Sequence, residues 1–256
     1  MDRGVMWALG LFETILVLDG VAIFAERHLA RLAGGCERLG WQMEHEDLRA
    51  VMEELIERNG LTRGRARIRL AMTGGSGSAN DLALGLDHVV WMTAVASAEP
   101  PMTTSMHLAP WVRNERSPLA GLKCASYAEN LVALHHAARL GFEETLFLNT
   151  AGQLCEAATA NVFLVKNGGL WTPSLASGCL PGITRSVVIE LAGQLGVACQ
   201  EAALSLEDLQ ESEELFLTSS IRGLMGVDRF EEQVFPSGPV TRILSDAWQE
   251  VTRRKN

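Results

Sequence analysis

Lys123 lies in the run GLKCASYAEN, Glu156 lies in LCEAATANVF, and a glycine-containing run, LPGITR, spans Leu180 to Arg185. A lysine amine can attack an aldehyde, a carboxylate can keep a pyridine nitrogen protonated, and the first free amides of a helix can take a phosphate. Those are the three groups that a protein supplies to hold pyridoxal phosphate. Each has an ordinary alternative. Lys123 alone reads as a surface lysine, Glu156 as a carboxylate paired with a nearby arginine, and Pro181-Gly182-Ile183-Thr184 as a common helix start. Together, in this order, they point to a cofactor enzyme.

Further residues could complete such a site. Thr184 adds a hydroxyl donor, and Ser219 and Ser220 sit where a strand ends. Arg31 carries a guanidinium suited to bidentate phosphate contact, although by itself it reads better as a solvent-facing helix arginine. The chain has only three lysines, at 123, 166 and 255, which narrows the choice of nucleophilic amine. The glycine-rich run Thr73 to Asn80 lacks the terminal Lys-Ser/Thr of a nucleotide P-loop and does not match GxGxxG. His135 and His136 have no metal-ligand companions, so one reads as packed and the other as solvated.

These residues need a framework, and 256 residues are enough for one large domain or two small ones. A net charge of −9 argues against nucleic acid as the main partner. Arg63, Arg65, Arg67 and Arg69 alternate with apolar residues, which reads as the solvated face of a strand. Five cysteines form no CxxC and no ligand cluster, so reduced thiols are expected and no metal site. The opening MDRGVMWALGLFET carries too short an apolar stretch for a signal peptide or a membrane span, and a cytoplasmic protein is expected.

The pattern places a hairpin over Phe12 to Phe24, turning at Asp19-Gly20. Helices follow, one carrying Leu29, Leu32, Ala33, Cys36 and Leu39 up to Gly40, the other running from Leu48 to Asn59-Gly60. Ala66, Ile68, Leu70 and Met72 alternate as a strand, and His88 to Ala96 forms another. Pro100-Pro101 marks a break, dividing the chain into an N-terminal α/β domain over 1–99 and a C-terminal α/β domain over 104–256 that carries Lys123. Beyond the break, Ser126 and Glu129 form a capping box that opens a helix through Leu140. Strands are predicted over Glu144 to Asn149 and Glu214 to Thr218, with a hairpin around Asn167-Gly168. A helix carries Val187, Val188 and Leu191. The fold class is α/β or α+β.

KCASYAEN, with CEAATANVF and LPGITR at this spacing, resembles the class IV aminotransferase family of pyridoxal-phosphate enzymes. That family includes branched-chain and D-amino-acid aminotransferases and 4-amino-4-deoxychorismate lyase. The resemblance runs from DRGVMWALGLFET to SSIRG at 219 to 223. It implies a two-domain fold-type IV enzyme with the cofactor between the domains, in a homodimer whose site borrows a loop from the partner. Lys123 would form the Schiff base, Tyr127 would contact the phenolic oxygen, and Glu156 would pair with the pyridine nitrogen. Arg31, the Ile183 amide, Thr184, Ser219 and Ser220 would lie at the phosphate. SYAEN and SSIRG look most like the deoxychorismate lyases, which release pyruvate and leave 4-aminobenzoate for folate synthesis. An aminotransferase is the alternative, and a catalytically reduced cofactor-binding protein is a third reading. Two sequence departures bear on the substrate. Trp7-Ala8-Leu9-Gly10 replaces the usual YGDG and makes Trp7 a candidate pocket wall. Gly74 replaces an arginine, which leaves Arg222 in SSIRG as the candidate anchor for a substrate carboxylate.

Overall fold

Asp19 and Gly20 both take positive φ, 45° and 85°. That is the geometry a two-residue hairpin turn demands, and glycine meets it without strain. The computed structural model, which describes residues 1–43, 47–78 and 87–254, builds its first unit around this hairpin. The elements are α1 (Arg3–Trp7), β1 (Gly10–Leu18), β2 (Val21–Ala22), α2 (Ala25–Arg38), α3 (Leu48–Arg58), β3 (Arg65–Thr73) and β4 (Val90–Ala96). The antiparallel strands run in the order β2-β1-β3-β4. Ile15, Val17, Ile68 and Leu70 form the core with Leu32 and Cys36 from α2 and Met52 and Ile56 from α3. The alternation of apolar residues with arginines from Arg65 to Leu70 buries one face of β3, as a period-2 pattern requires.

Leu122–Tyr127 belongs to this first unit as well. The sequence reading assigned Lys123 to the C-terminal domain, and the structure corrects that placement. The reason is backbone pairing. Phe12 N donates to Lys123 O (2.9 Å), Ala125 N donates to Gly10 O (2.7 Å), and Leu11 and Cys124 form an antiparallel bridge. A stretch that is distant in sequence is thus joined to the start of β1 through an isolated antiparallel bridge.

The second unit comprises Pro100–Gly121 and Ala128–Val251. In chain order its elements are β5 (Thr103–Arg113), α4 (Ala128–Arg139), β6 (Glu144–Asn149), β7 (Leu154–Ala157), β8 (Asn161–Lys166) and β9 (Gly169–Pro173). They continue with α5 (Ile183–Gln194), β10 (Cys199–Ala202), α6 (Leu206–Gln210), β11 (Glu214–Ser219), β12 (Gly223–Phe230), β13 (Gln233–Val234) and α7 (Pro239–Arg253). A nine-stranded mixed sheet runs β10-β9-β8-β11-β12-β5-β6-β7, with β13 paired to β12. Neighbouring β8 and β11 stack Phe163 on Phe216, ring centroids 5.0 Å apart. With strands and helices mixed in both units, the class is α+β.

Two local expectations fail. The capping box at Ser126 and Glu129 does not form, because α4 starts at Ala128 and both side chains are taken elsewhere. Ser126 Oγ donates to Ala8 O (3.1 Å), and the Glu129 carboxylate pairs with Arg113 (3.0 Å). Nor are the β3 arginines uniformly solvated. Arg67 is exposed, but Arg65 and Arg69 are half-buried, and Arg69 lies over an aromatic ring.

Candidate active site

In the first unit, the site residues are organised around Phe12. Its ring is buried, with the Arg69 guanidinium 3.9 Å and the Lys123 ammonium 4.4 Å from its centroid. The Tyr127 ring meets it edge-on at 5.5 Å, 85° between planes. Such contacts combine dispersion with the attraction of a cation to the π face. The β1 pairing of Leu122–Tyr127 explains why Lys123 and Tyr127 converge on one ring. Burial pushes the Arg69 pKa down, with the Arg67 charge acting in the same direction. Of the remaining lysines, Lys166 is held by Asp208 (2.8 Å) and Glu211 (3.4 Å), and Lys255 falls outside the described residues.

Arg31 lies on the buried stripe of α2, not on its solvent side. His28, Arg31, Leu32, Gly35 and Cys36 recur at helical spacing, and the Arg31 side chain is 13% exposed. Glu13 meets it from β1, accepting from Arg31 Nε (2.8 Å) and Nη2 (2.6 Å) and from His28 Nδ1 (2.6 Å). Burial opposes ionisation of Glu13, but the hydrogen bonds from His28 and Arg31 outweigh it and hold its pKa at about 2. Burial lowers the His28 pKa in spite of the Glu13 contact, so His28 is a neutral donor to an ionised acceptor.

Other positions in this unit are peripheral to that cluster. Trp7 closes α1 and is 45% exposed. Gly74 is pinned by its own amide, which donates to Leu9 O (2.7 Å), and a Cβ there would stand 2.8 Å from Leu9 Cδ2. A side chain at 74 would require Leu9 to shift. Of the glycine-rich run, Ala79 and Asn80 lie outside the described residues.

In the second unit, Glu156 on β7 accepts from Leu180 N at 2.8 Å through Oε2. Its Oε1 lies 3.9 Å from Arg113 Nη2. Arg113 in turn stacks 4.4 Å from the Phe147 ring centroid and reaches Glu129 and Asn130. The arginine that the sequence alternative invoked for Glu156 is thus present, at a distance that leaves the backbone amide the closer contact.

Gly182 caps α5 without any side-chain hydrogen bond. Asn161 Nδ2 donates to Leu180 O (2.8 Å), and a Cβ on Gly182 would run into Asn161 Oδ1, so any larger residue must displace the Asn161 side chain. Thr184 follows, 2% exposed, and its Oγ1 is buried with no partner in the protein. A buried hydroxyl left unpaired beside uncapped helix amides is costly unless something accepts from it. An anion fits that place. Ser219 Oγ accepts from Arg222 N (3.3 Å), and Ser220 follows it in the same turn. Arg222 Nη2 donates to Glu144 Oε2 (2.8 Å) and to Thr159 Oγ1, within its own unit.

Sequence reasoning missed Phe12, Glu13, His28, Arg69 and Arg113. One signal was available: Glu13 alternates with Leu11 and Ile15, which places a carboxylate on the core face of β1. Burial pushes the Cys155 and Cys179 thiols up, so these cysteines pack as neutral groups. Among the described residues there is no cluster that could hold a metal ion. His135 is exposed, and His136 packs against Trp111 at 5.4 Å.

The family model for amino-transferase class IV matches residues 10–230. The chain is 26% identical over 250 residues to the aminodeoxychorismate lyase of Bacillus subtilis, covering 95% of this chain and 85% of that one. It is also 26% identical, over 266 residues, to the branched-chain-amino-acid aminotransferase of Escherichia coli K12, covering 97% and 85%. A crystal structure from Legionella pneumophila, described as a "Putative 4-amino-4-deoxychorismate lyase", superposes with a TM-score of 0.91. Its identity is 28%, and the match covers 100% of this chain and 94% of that one.

Proposed function

This chain belongs to the class IV aminotransferase family, a family of pyridoxal-phosphate enzymes, and we propose that it is a lyase converting 4-amino-4-deoxychorismate to 4-aminobenzoate and pyruvate. The observation that carries the enzyme reading is Lys123 held over Phe12 beside Tyr127, while the ammonium of Lys166 is occupied by carboxylates. SYAEN and SSIRG support the lyase over its relatives, and a lyase, that of Bacillus subtilis, is among the similar proteins at the same 26% identity as the Escherichia coli aminotransferase. The Escherichia coli relative favours a second reading, transamination of branched-chain amino acids; D-amino acids are the other substrates that this alternative includes.

When bound, the cofactor supplies an electrophilic carbon for the substrate amine and a ring that takes up electron density. Lys123 Nζ holds the cofactor and serves as the base that takes the proton from the substrate ring. Glu156 holds a proton at the pyridine nitrogen, its own carboxylate fixed by the Leu180 amide. Tyr127 orients the ring through its hydroxyl. Arg31, the Ile183 amide, Thr184 Oγ1, Ser219 and Ser220 hold the phosphate, and Trp7 and Arg222 are the candidates for substrate contact. The working form in this proposal is a homodimer in the cytoplasm. Among the described residues no helix is long and apolar enough to cross a membrane.

The test is product analysis with purified enzyme. Pyruvate release from 4-amino-4-deoxychorismate over many turnovers, with no keto acid added, supports the lyase. A single turnover that stops until a keto acid is supplied establishes the aminotransferase instead.

A further inference from the structure

The Glu13–Arg31 contact lies beneath a residue assigned to phosphate binding, and nothing in that assignment explains why a carboxylate is buried there. We propose that Glu13 is a positioning residue for phosphate recognition, acting through Arg31 and braced by His28. The inference rests on the reading that Arg31 holds the cofactor phosphate.

A free arginine side chain samples many rotamers, and fixing it costs binding energy each time a ligand arrives. Glu13 removes that cost in advance. Its two oxygens take Nε and Nη2 along one edge of the planar guanidinium, at 2.8 and 2.6 Å, which fixes both the position of the group and its tilt. The remaining side of the planar fork then faces away from Glu13, in a direction set by the protein rather than by the ligand. The carboxylate itself is 1% exposed and carried on β1, so it cannot drift. His28, also 1% exposed, donates to the oxygen shared with Nη2 (2.6 Å), so the carboxylate is bonded on both sides. His28 and Arg31 are three residues apart on α2, so one helix face presents both donors to one acceptor.

A purely architectural ion pair would stabilise the fold and leave ligand preference alone. A positioning pair changes affinity for the phosphate-bearing cofactor and leaves affinity for pyridoxal, which lacks the phosphate, nearly untouched. The experiment titrates cofactor-free protein with pyridoxal phosphate and with pyridoxal, following the visible absorbance and the quenching of tryptophan fluorescence. Glu13→Gln is expected to weaken pyridoxal phosphate by about tenfold or more, the scale seen when the support of a metal ligand is removed. Pyridoxal affinity is expected to move by less than about threefold in the same titration.

Arg31→Met separates the two ideas. If it leaves the preference for the phosphate form unchanged, the phosphate role of Arg31 is wrong and the inference falls with it. If Arg31→Met lowers the preference and Glu13→Gln does not, Arg31 keeps its role and Glu13 is architectural. The double variant is expected to match Arg31→Met alone, because Glu13 has no other route to the phosphate; additive losses would overturn the inference. Should Glu13→Gln fail to fold, Glu13→Asp keeps the charge but withdraws the carboxylate by one methylene. It is expected to show the same selective loss at smaller size, and an unchanged preference there would also overturn the proposal.

Discussion

Lys123 Nζ stands 4.4 Å from the centroid of the Phe12 ring, although the two residues are more than a hundred positions apart in the chain. The contact follows from backbone geometry, because Phe12 N donates to Lys123 O and places the two side chains side by side. Replacing Lys123 by alanine leaves that backbone bond in place, so the fold is expected to survive. The variant should bind cofactor without covalent attachment and lose activity, as checked by borohydride reduction followed by mass spectrometry. A reduced adduct mapped to Lys166 in the variant would refute the assignment.

Glu156 receives the Leu180 amide at 2.8 Å, so Glu156→Gln preserves size and one acceptor while removing the charge. If the carboxylate keeps the pyridine nitrogen protonated, turnover should fall by about two to three orders of magnitude, the cost of losing a charge that acts in the transition state. Cofactor content, read from absorbance, should remain close to that of the parent protein. Turnover within a few-fold of the parent would make Glu156 structural, a partner for Arg113 and the Leu180 amide.

The sequence displayed the hairpin, α2, α3 and β3 because their signals are local: a turn dipeptide, a stop glycine, a period. It hid what depends on distant partners. The Ser126-to-Glu129 spacing promised a capping box, yet a carbonyl and an arginine from elsewhere took both side chains. The same spacing at Ser205 and Asp208 does form one, at the start of α6. Helix α7 was also missed. Its buried positions include Thr241 and Thr252 beside Leu244 and Trp248, which dilutes the apolar stripe. Its N-terminal amides at Val240 and Thr241 are capped by Glu214, from a different element. The candidate site divides the same way. The motif residues were visible as motifs, whereas Phe12, Glu13 and Arg113 acquire their roles only through strand register and stacking.

Acid stability should report on Glu13. Its pKa is held down from about 4.5 to about 2 in the folded protein. Above pH 4.5 the group is ionised whether folded or not, and its stabilising contribution is fully present. As pH falls from 4.5 towards 2, the unfolded chain takes up the proton and the folded one does not, so the contribution is lost. The shift corresponds to on the order of 3 kcal/mol. Thermal unfolding followed from pH 6 to pH 2 should therefore show a steeper loss in the parent than in Glu13→Gln. Parallel curves for the two proteins would show that Glu13 does not titrate with unfolding.

Substitution of Gly182 should be destabilising, because a Cβ would run into Asn161 Oδ1. Gly182→Ala must push aside either the Asn161 side chain or the start of α5, and Asn161 is itself bonded to Leu180 O. Small-to-large changes in tight packing cost about 1–3 kcal/mol. The variant should unfold at lower denaturant concentration and lose more affinity for pyridoxal phosphate than for pyridoxal. Pairing it with Asn161→Ala, which vacates the space, should recover part of the stability, and no recovery would mean that the clash is not the cause.

Arg222 was assigned a substrate carboxylate because position 74 carries no arginine; a loop tether is the competing role. The guanidinium donates to Glu144, which is buried, and to Thr159, and the Arg222 amide donates to Ser219 Oγ. That geometry describes a tether that fixes the Ser219-Ser220 turn, and a substrate contact would have to share the same side chain. The two roles separate in a single variant. If the tether dominates, Arg222→Ala leaves Glu144 without its partner and loosens the turn, so pyridoxal phosphate should bind more weakly and KM for 4-amino-4-deoxychorismate should change little. Breaking a buried charge pair of this kind costs about 3–5 kcal/mol, so the thermal midpoint should drop as well. Replacing Glu144 by glutamine should then reproduce the cofactor defect. If Arg222 instead meets the substrate, KM rises strongly in Arg222→Ala, cofactor affinity holds, and Glu144→Gln does not share the phenotype.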